Sequence, residues 1–432
     1  MRVDLIIEGK AYVGGGIVEA AIGVADGKIA SISNPANAPE ADEKLVLGSG
    51  EIALPGMVDM HVHMRDFNQS HKEDWWTGTL SALRGGVTMV ADMPNNDPYV
   101  DRLDRLREKL KLAESRSLVD FALYCGVPRD LSELDDIRKL ACGFKIYPDD
   151  YEKLPSLASR LAEDLLVIHP EDPEVIRRER LRAGASPSLE SHSRIRPKSA
   201  ELKAIDGILS LMRGKPAKLH FTHLTTRESI LKVVSAKLQG TRVTCDATLH
   251  HALLTSREVG RLGGIAKVNP PLREKEDVEA VLRAMRWGIV DAIASDHAPH
   301  LLEEKLRKNY DEVPPGFPGL EIYLPLLLTQ ILERSLPLSA LDLYSRKPAK
   351  LLGLSKGLIS LGADGDLVIV EVGAERRIDA SSFASKAKYS PFDGWPVKAY
   401  VKKVFIRGVL ALDGESVLIK EGFGKHVRGS QG

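Results

Sequence analysis

Residues 54–63 read LPGMVDMHVH, a short apolar run that ends in His61 and His63 and is followed at once by Met64, Arg65 and Asp66. Side chains alternate across the faces of a strand, so histidines two residues apart point to the same side. Seven further segments share this build: GVTMVADM, VDFALYCGV, GFKIYP, LLVIHP, KLHFTHL, RVTCDATL and VDAIASDH. Charged amphipathic stretches of helical length lie between them. These are KEDWWTGTLSALRGG, DRLDRLREKLKLAESRS, LSELDDIRKLA, EKLPSLASRLAED, SAELKAIDGILSLMRG, TRESILKVVSAKLQG and EKEDVEAVLRAMRWG. Eight strands alternating with helices predict an α/β fold, a closed (β/α)8 TIM barrel over residues 52–354, with an open doubly wound sheet as the alternative.

The two ends of the chain differ from this middle. VDLIIEG, GIVEAAIGVADGKIASIS and EKLVLGSG at one end, and GDLVIVEVG, KAYVKKVFIRGVLALDG and ESVLIKEG at the other, are strands punctuated by Gly-containing turns. Residues 1–51 and 355–432 are therefore expected to pair into one small β-sandwich domain beside the barrel. A chain of 432 residues has room for both.

Composition narrows the function. With 60 basic and 60 acidic side chains the formal charge is zero, and the basic residues are dispersed, so no patch is laid out for nucleic acid or an anionic membrane. The partner expected is a small molecule. Three cysteines far apart make no disulfide framework, and no apolar run approaches the roughly 20 residues of a membrane span. The first residues lack the apolar core of a signal peptide, and the expected compartment is the cytoplasm.

Ionisable residues fall at one end of the proposed strands. His61 and His63 end the first strand, Lys145 lies in the fourth, His169 ends the fifth, His223 the sixth and Asp296 the eighth. Barrel chemistry collects at the C-terminal strand ends. Neutral imidazoles and a carboxylate suit zinc or a similar divalent ion, and four histidines with an aspartate exceed one tetrahedral site. A lone HxH, or a single buried lysine, is as well explained by packing; five strands delivering such groups to one place are not. His220 has the opposite strand parity to His223, so only one of them is expected in the site. His250, His251 and His297 read as supporting or packing residues, and Trp75 and Trp76 as barrel aromatics.

Taken together, these segments resemble the dihydroorotase family of the amidohydrolase superfamily. Its motifs stand here as His61-Val62-His63-Met64-Arg65, Met93-Pro94-Asn95, Gly143-Phe144-Lys145, His169-Pro170-Glu171-Asp172, His220-Phe221-Thr222-His223, Asn269-Pro270-Pro271-Leu272-Arg273 and Ser295-Asp296-His297-Ala298-Pro299-His300. The resemblance spans the barrel and includes the flanking β-domain built from both chain ends. It implies two Zn2+ ions: one held by His61, His63 and Asp296, the other by His169 and His223, with carboxylated Lys145 bridging them. It also selects His223 over His220. By the same likeness Asp296 is the catalytic acid and base in the reversible cyclisation of carbamoyl aspartate to dihydroorotate in pyrimidine biosynthesis.

For the substrate, the resemblance implies His63, Arg65, Asn95, Asn269 and His300 as binding residues, with Arg65 clamping a carboxylate through its planar fork. The turn-rich segment from Leu301 to Gly319 reads either as a mobile lid whose backbone at Pro315 and Gly316 touches the ring, or as a surface loop without a role. Homo-oligomers and association with aspartate transcarbamoylase are the partners such a family suggests. Two departures stand out: many members read HxHxREPG where this chain has Arg65-Asp66-Phe67-Asn68, and Asn96 stands where threonine commonly follows Asn95. Rival readings are a hydantoinase or allantoinase, whose simple substrates lack the carboxylate, and a non-catalytic scaffold, in which ligands are usually lost.

Overall fold

The computed structural model describes residues 2–428. Its centre is a ring of parallel strands: β1 (Met57–Val62), β2 (Val87–Asp92), β3 (Asp120–Cys125), β4 (Ala141–Ile146), β5 (Leu165–Ile168), β6 (Lys218–Phe221), β7 (Val243–Ala247) and β8 (Ala292–Ile293), each paired with the next. Between β8 and β1 the ring closes through a parallel bridge from Val62 to His297 and a 2.8 Å bond from the His63 N–H to the His297 carbonyl. The expected eighth strand, VDAIASDH, is regular only over two residues. Its chain leaves the ladder because the Ser295 N–H turns to the buried Asp59 carboxylate, at 3.2 and 3.1 Å from its two oxygens, which Tyr344 also holds at 2.8 Å.

Most of the expected helices form, among them Trp75–Arg84, Leu103–Arg116, Lys198–Leu211, Arg227–Leu238 and Lys275–Arg286. Asp74 starts the first through a capping box with Thr77. LSELDDIRKLA and EKLPSLASRLAED shrink to the five-residue helices Leu134–Arg138 and Leu154–Ala158, each entered through a 3-10 turn. Among the described residues several helices have no counterpart in the amphipathic pattern, the two longest being Pro173–Arg182 and Leu320–Leu332. The second is apolar on nearly every side and carries Pro325 inside it, so it shows no polar face and reads as interrupted.

Both chain ends contribute to one nine-stranded sheet, joined where Leu367–Glu371 runs antiparallel to Glu51–Pro55. Thus the run IALPGMV, expected to lead straight into the barrel after residue 51, is divided at Gly56 between the two sheets. A Cβ at Gly56 would lie 2.1 Å from Thr88 Oγ1, so the crossing between sheets requires glycine. Beneath the barrel, buried Lys356 contacts Asp120 at 2.7 Å, Asp364 at 2.6 Å and Asp366 at 2.8 Å, tying the start of β3 to the small domain. That ammonium fills the centre of the three carboxylates, where a cation would otherwise sit. Inside the barrel, alanines 91, 122, 292 and 294 leave room for Met60, Met93 and Tyr124, so the interior is packed and substrate can enter only at a mouth.

Candidate active site

All the residues expected in the site line one cavity of about 370 Å3 at the C-terminal strand ends: His61, His63, Arg65, Asn95, Lys145, His169, His223, Asn269, Asp296, His300, Pro315 and Gly316. Tyr147, Pro148, Arg196, Val268 and Ala298 complete its wall. His61 and His63 project to the same side, their ring centres 5.3 Å apart. Three of the lining residues, Arg65, His223 and Asp296, have left-handed backbones, with φ of 58, 40 and 49°. Such conformations are disfavoured for L-residues, so the surroundings must hold them.

Those surroundings can be named. His223 N–H donates to Asp246 at 2.6 Å, and the other oxygen of Asp246 meets His220 Nε2 at 2.8 Å. His220 thus supports the carboxylate that orients His223, and it does not face the cavity. On the other side, Asn96 Nδ2 donates to the Arg65 carbonyl, while buried Lys109 donates to Asn96 Oδ1 at 2.9 Å and pairs with Asp92 at 2.6 Å. Asp92 in turn accepts the Met64 N–H at 2.7 Å. Asn96, a departure from the family pattern, therefore braces the loop that carries Arg65.

Asp296 Oδ1 lies 3.3 Å from His61 Nε2 and 3.1 Å from His63 Nε2. His63 Nδ1 is bonded to Asn95 Oδ1 at 2.6 Å, so its proton sits there and its Nε2 lone pair faces the carboxylate. Two lone pairs facing each other are favourable only around a proton or a cation. On the opposite wall His169 Nδ1 and His223 Nε2 converge at 3.1 Å, and His169 Nε2 is bonded to Glu171 at 2.8 Å. Glu171 is itself held by Arg196 through contacts of 3.1, 3.2 and 2.5 Å. A carboxylate behind the ring fixes the proton on Nε2 and frees Nδ1 as a ligand.

Burial acts on the four histidines, the aspartate and the lysine of the site. It lowers the pKa of His61, His63, His169 and His223, leaving neutral imidazoles with lone pairs to give. It pushes Asp296 up to about 7, partly opposed by Lys145 and His169, and Lys145 down to about 8, partly opposed by Asp296. Lys145 Nζ makes a long 3.4 Å contact with Thr222 Oγ1 and stands 5.5 Å from the centre of the Tyr147 ring. Ligand atoms of His61, His63 and Asp296 lie within 4.8 Å of one another. The donor set fits divalent metal, and Lys145 shares the cavity with both halves, its charge acting on His61 and His63 as well as on His169 and His223.

The segment after β8 is held by two buried lysines. Buried Lys305 donates to the carbonyls of Lys267, Pro314 and Gly316 at 3.0, 2.7 and 2.7 Å, and Lys267 to those of Tyr310 and Val313 at 2.6 and 2.8 Å. Opening the loop would break these bonds, which tie Pro315 and Gly316 to the wall of the cavity.

Sequence reading did not find Tyr147, Arg196 or the role of Glu171. Glu171 was visible within HPED, but Arg196 lies in SHSRIRPKSA without any local signal, and only the fold brings it to Glu171. The arginine of NPPLR, Arg273, is buried behind the site, donating to Thr225 Oγ1 at 2.9 Å and the Arg196 carbonyl at 2.6 Å. His251 and His250 are tied to Pro270 O and Tyr323 OH, and serve packing.

Known proteins agree with this architecture. Residues 50–141 match a family described as dihydro-orotase-like, and residues 199–411 match the amidohydrolase family. A dihydroorotase from Methanosarcina mazei is 32% identical across 97% of this chain and 96% of its own length. One from Methanothermobacter thermautotrophicus is 34% identical across 94% and 93%. Among solved structures, an L-hydantoinase (dihydropyrimidinase) from Arthrobacter aurescens superimposes with a TM-score of 0.93 at 30% identity, covering 99% of this chain and 100% of its own.

Proposed function

Because the chain belongs to the dihydroorotase family of cyclic amide hydrolases, we propose that it interconverts N-carbamoyl-L-aspartate and L-dihydroorotate, the ring-closing step of pyrimidine nucleotide synthesis. In this reading His61, His63 and Asp296 would hold one zinc ion and His169 and His223 a second, with Lys145, carboxylated on Nζ, between them. Such ions, when bound, polarise a ring amide carbonyl and lower the pKa of an attacking water.

The chain's own groups do the rest. Asp296, buried against His61 and His63, takes a proton during ring opening and hands it to the departing ring nitrogen; in cyclisation the order reverses. Asn269 lines the cavity with a buried Oδ1 that has no partner among the described residues, and it is an acceptor for a ring N–H. Asn95 has its oxygen engaged by His63, which leaves its amide N–H2 to donate.

One observation carries the choice of substrate. Arg65 is 7% exposed and faces the cavity beside His300, yet it forms no ion pair among the described residues. A buried guanidinium without a carboxylate is costly, and a substrate that brings one removes the cost. Simple hydantoins bring none, although the likeness to L-hydantoinase is close in fold. The test is turnover of dihydroorotate, hydantoin and allantoin by zinc-replete enzyme, with Arg65→Ala alongside. Dihydroorotate should be preferred, and the variant should lose affinity for it; preference for hydantoin, or an unchanged KM in the variant, would refute this assignment.

A further inference from the structure

We propose that Arg196 is a substrate-binding residue: its Nη1 donates to the urea carbonyl of the ring, the oxygen flanked by both ring nitrogens, and with Asn269 it reads the ureide edge. The inference rests on the reading of the cavity as a cyclic amide hydrolase site, whichever such ring is preferred. Arg196 follows the short helix His192–Ile195 and lines the cavity, with its side chain 19% exposed. Its backbone is fixed on both sides, the N–H donating to the His192 carbonyl at 3.0 Å and the carbonyl accepting from Arg273 Nη1 at 2.6 Å. His192 Nε2 in turn donates to the Val268 carbonyl at 2.8 Å. Arg196 is thereby set beside Val268 and Asn269, which line the same cavity.

Two of the three guanidinium nitrogens are already engaged. Nε meets the two oxygens of Glu171 at 3.1 and 3.2 Å, and Nη2 meets one of them at 2.5 Å. Nη1 has no acceptor among the described residues, and a guanidinium can only donate. Asn269 Oδ1 is the converse, a buried acceptor without a partner among the described residues. A role confined to holding Glu171 accounts for Nε and Nη2 but leaves both of these groups unmatched, at a cost that a ligand removes. An open donor and an open acceptor on one wall complement a C=O beside an N–H, which is the edge of a cyclic ureide.

Charge decides which oxygen of the substrate goes there. The positive charge of Arg196 is matched by the fully buried Glu171 carboxylate, so Nη1 offers a hydrogen-bond donor from a pair that is neutral as a whole. That suits a neutral carbonyl. A carboxylate is better matched by Arg65, which has no ion pair among the described residues.

The experiment compares, on zinc-replete full-length enzyme, the ring substrate and an analogue carrying sulfur in place of the urea oxygen. Sulfur is a weak acceptor, and the exchange leaves the scissile amide intact. In the wild type KM for the thio compound should be about tenfold that for the oxo compound, the worth of one hydrogen bond from a charged donor. Arg196→Lys keeps a cation for Glu171 but has no Nη1. In this variant KM for the oxo compound should rise to the thio value and the ratio should fall to about one; Arg196→Gln serves as the second variant if Arg196→Lys does not fold. Zinc content and kcat report separately on the Glu171–His169 side, and a role confined to that side would change them alike for both compounds and leave the ratio standing. A wild-type ratio near one, or a ratio still near tenfold in a folded variant, overturns the proposal. Dihydroorotate and hydantoin share the ureide edge, so the same series runs on either. If the wild type turns over hydantoin and not dihydroorotate, the substrate reading falls, while the oxo-to-thio ratio still decides the place of Arg196.

Discussion

Lys305→Met removes an ammonium that holds the wall of the cavity while keeping most of the stem. In the wild type that ammonium is fully buried and donates to three carbonyls, two of them in the Pro314–Gly316 turn. Hydrogen bonds from a charged group contribute about 1.5–3 kcal/mol each, so roughly 5–9 kcal/mol of interaction is lost. Relief of the buried ammonium's desolvation returns several kcal/mol of this. The net local destabilisation is about 3 kcal/mol, or on the order of a hundredfold in the opening equilibrium. The Gly316 N–H, bonded to Lys267 O at 2.9 Å, reports it directly. Hydrogen exchange followed by mass spectrometry should show the peptide spanning 310–320 exchanging about a hundredfold faster than in the wild type. Peptides from β1 to β7 should keep their protection, and KM for dihydroorotate should rise as Pro315 and Gly316 lose their place. Wild-type exchange in that peptide, in a folded variant, would refute the claim that the lysine holds the wall.

Glu321 is pushed up to about 7 by burial, despite bonds from Ser81 at 2.8 Å and the Ala384 N–H at 2.7 Å. Between the ordinary glutamate pKa and about 7 the folded state binds the proton more tightly than the unfolded state, so stability falls as pH rises through that window, by on the order of 3 kcal/mol. Glu321→Gln should flatten this slope in urea unfolding and gain most above pH 7; an unchanged slope rejects the assignment. Asp296→Asn should keep the fold, judged by circular dichroism, yet lose most turnover in both directions. Metal analysis should find two zinc equivalents in the wild type and fewer in this variant, and near-normal rates would remove Asp296 from proton transfer.

Much of the site was legible because strand ends concentrate it. The period of two in MHVH and the recurrence of short apolar runs depend only on local backbone geometry, so they survive in the chain as a readable pattern. The helix Leu320–Leu332 escaped the same logic: buried without a break from Ile322 to Thr329, it has no polar side there to mark its period. Strand β8 was overextended in the reading because the pull of Asp59 on the Ser295 N–H comes from the far end of the sequence.

From sequence alone came the barrel, the β-domain built from both ends, and the cluster of His61, His63, Lys145, His169, His223 and Asp296, carried by residue type and short-range spacing, while the family resemblance added Asn95, Asn269, His300, Pro315 and Gly316 to the same cavity. Tertiary structure alone decided which nitrogen of His63 and of His169 faces inward, because that depends on partners outside the local strand: Asn95 for His63 and Glu171 with Arg196 for His169. It also brought Lys305 to the carbonyls around Pro315, a contact that nothing in the local sequence declares. Local periodicity writes a fold into the chain, whereas protonation and rigidity arise only when long-range contacts replace solvent.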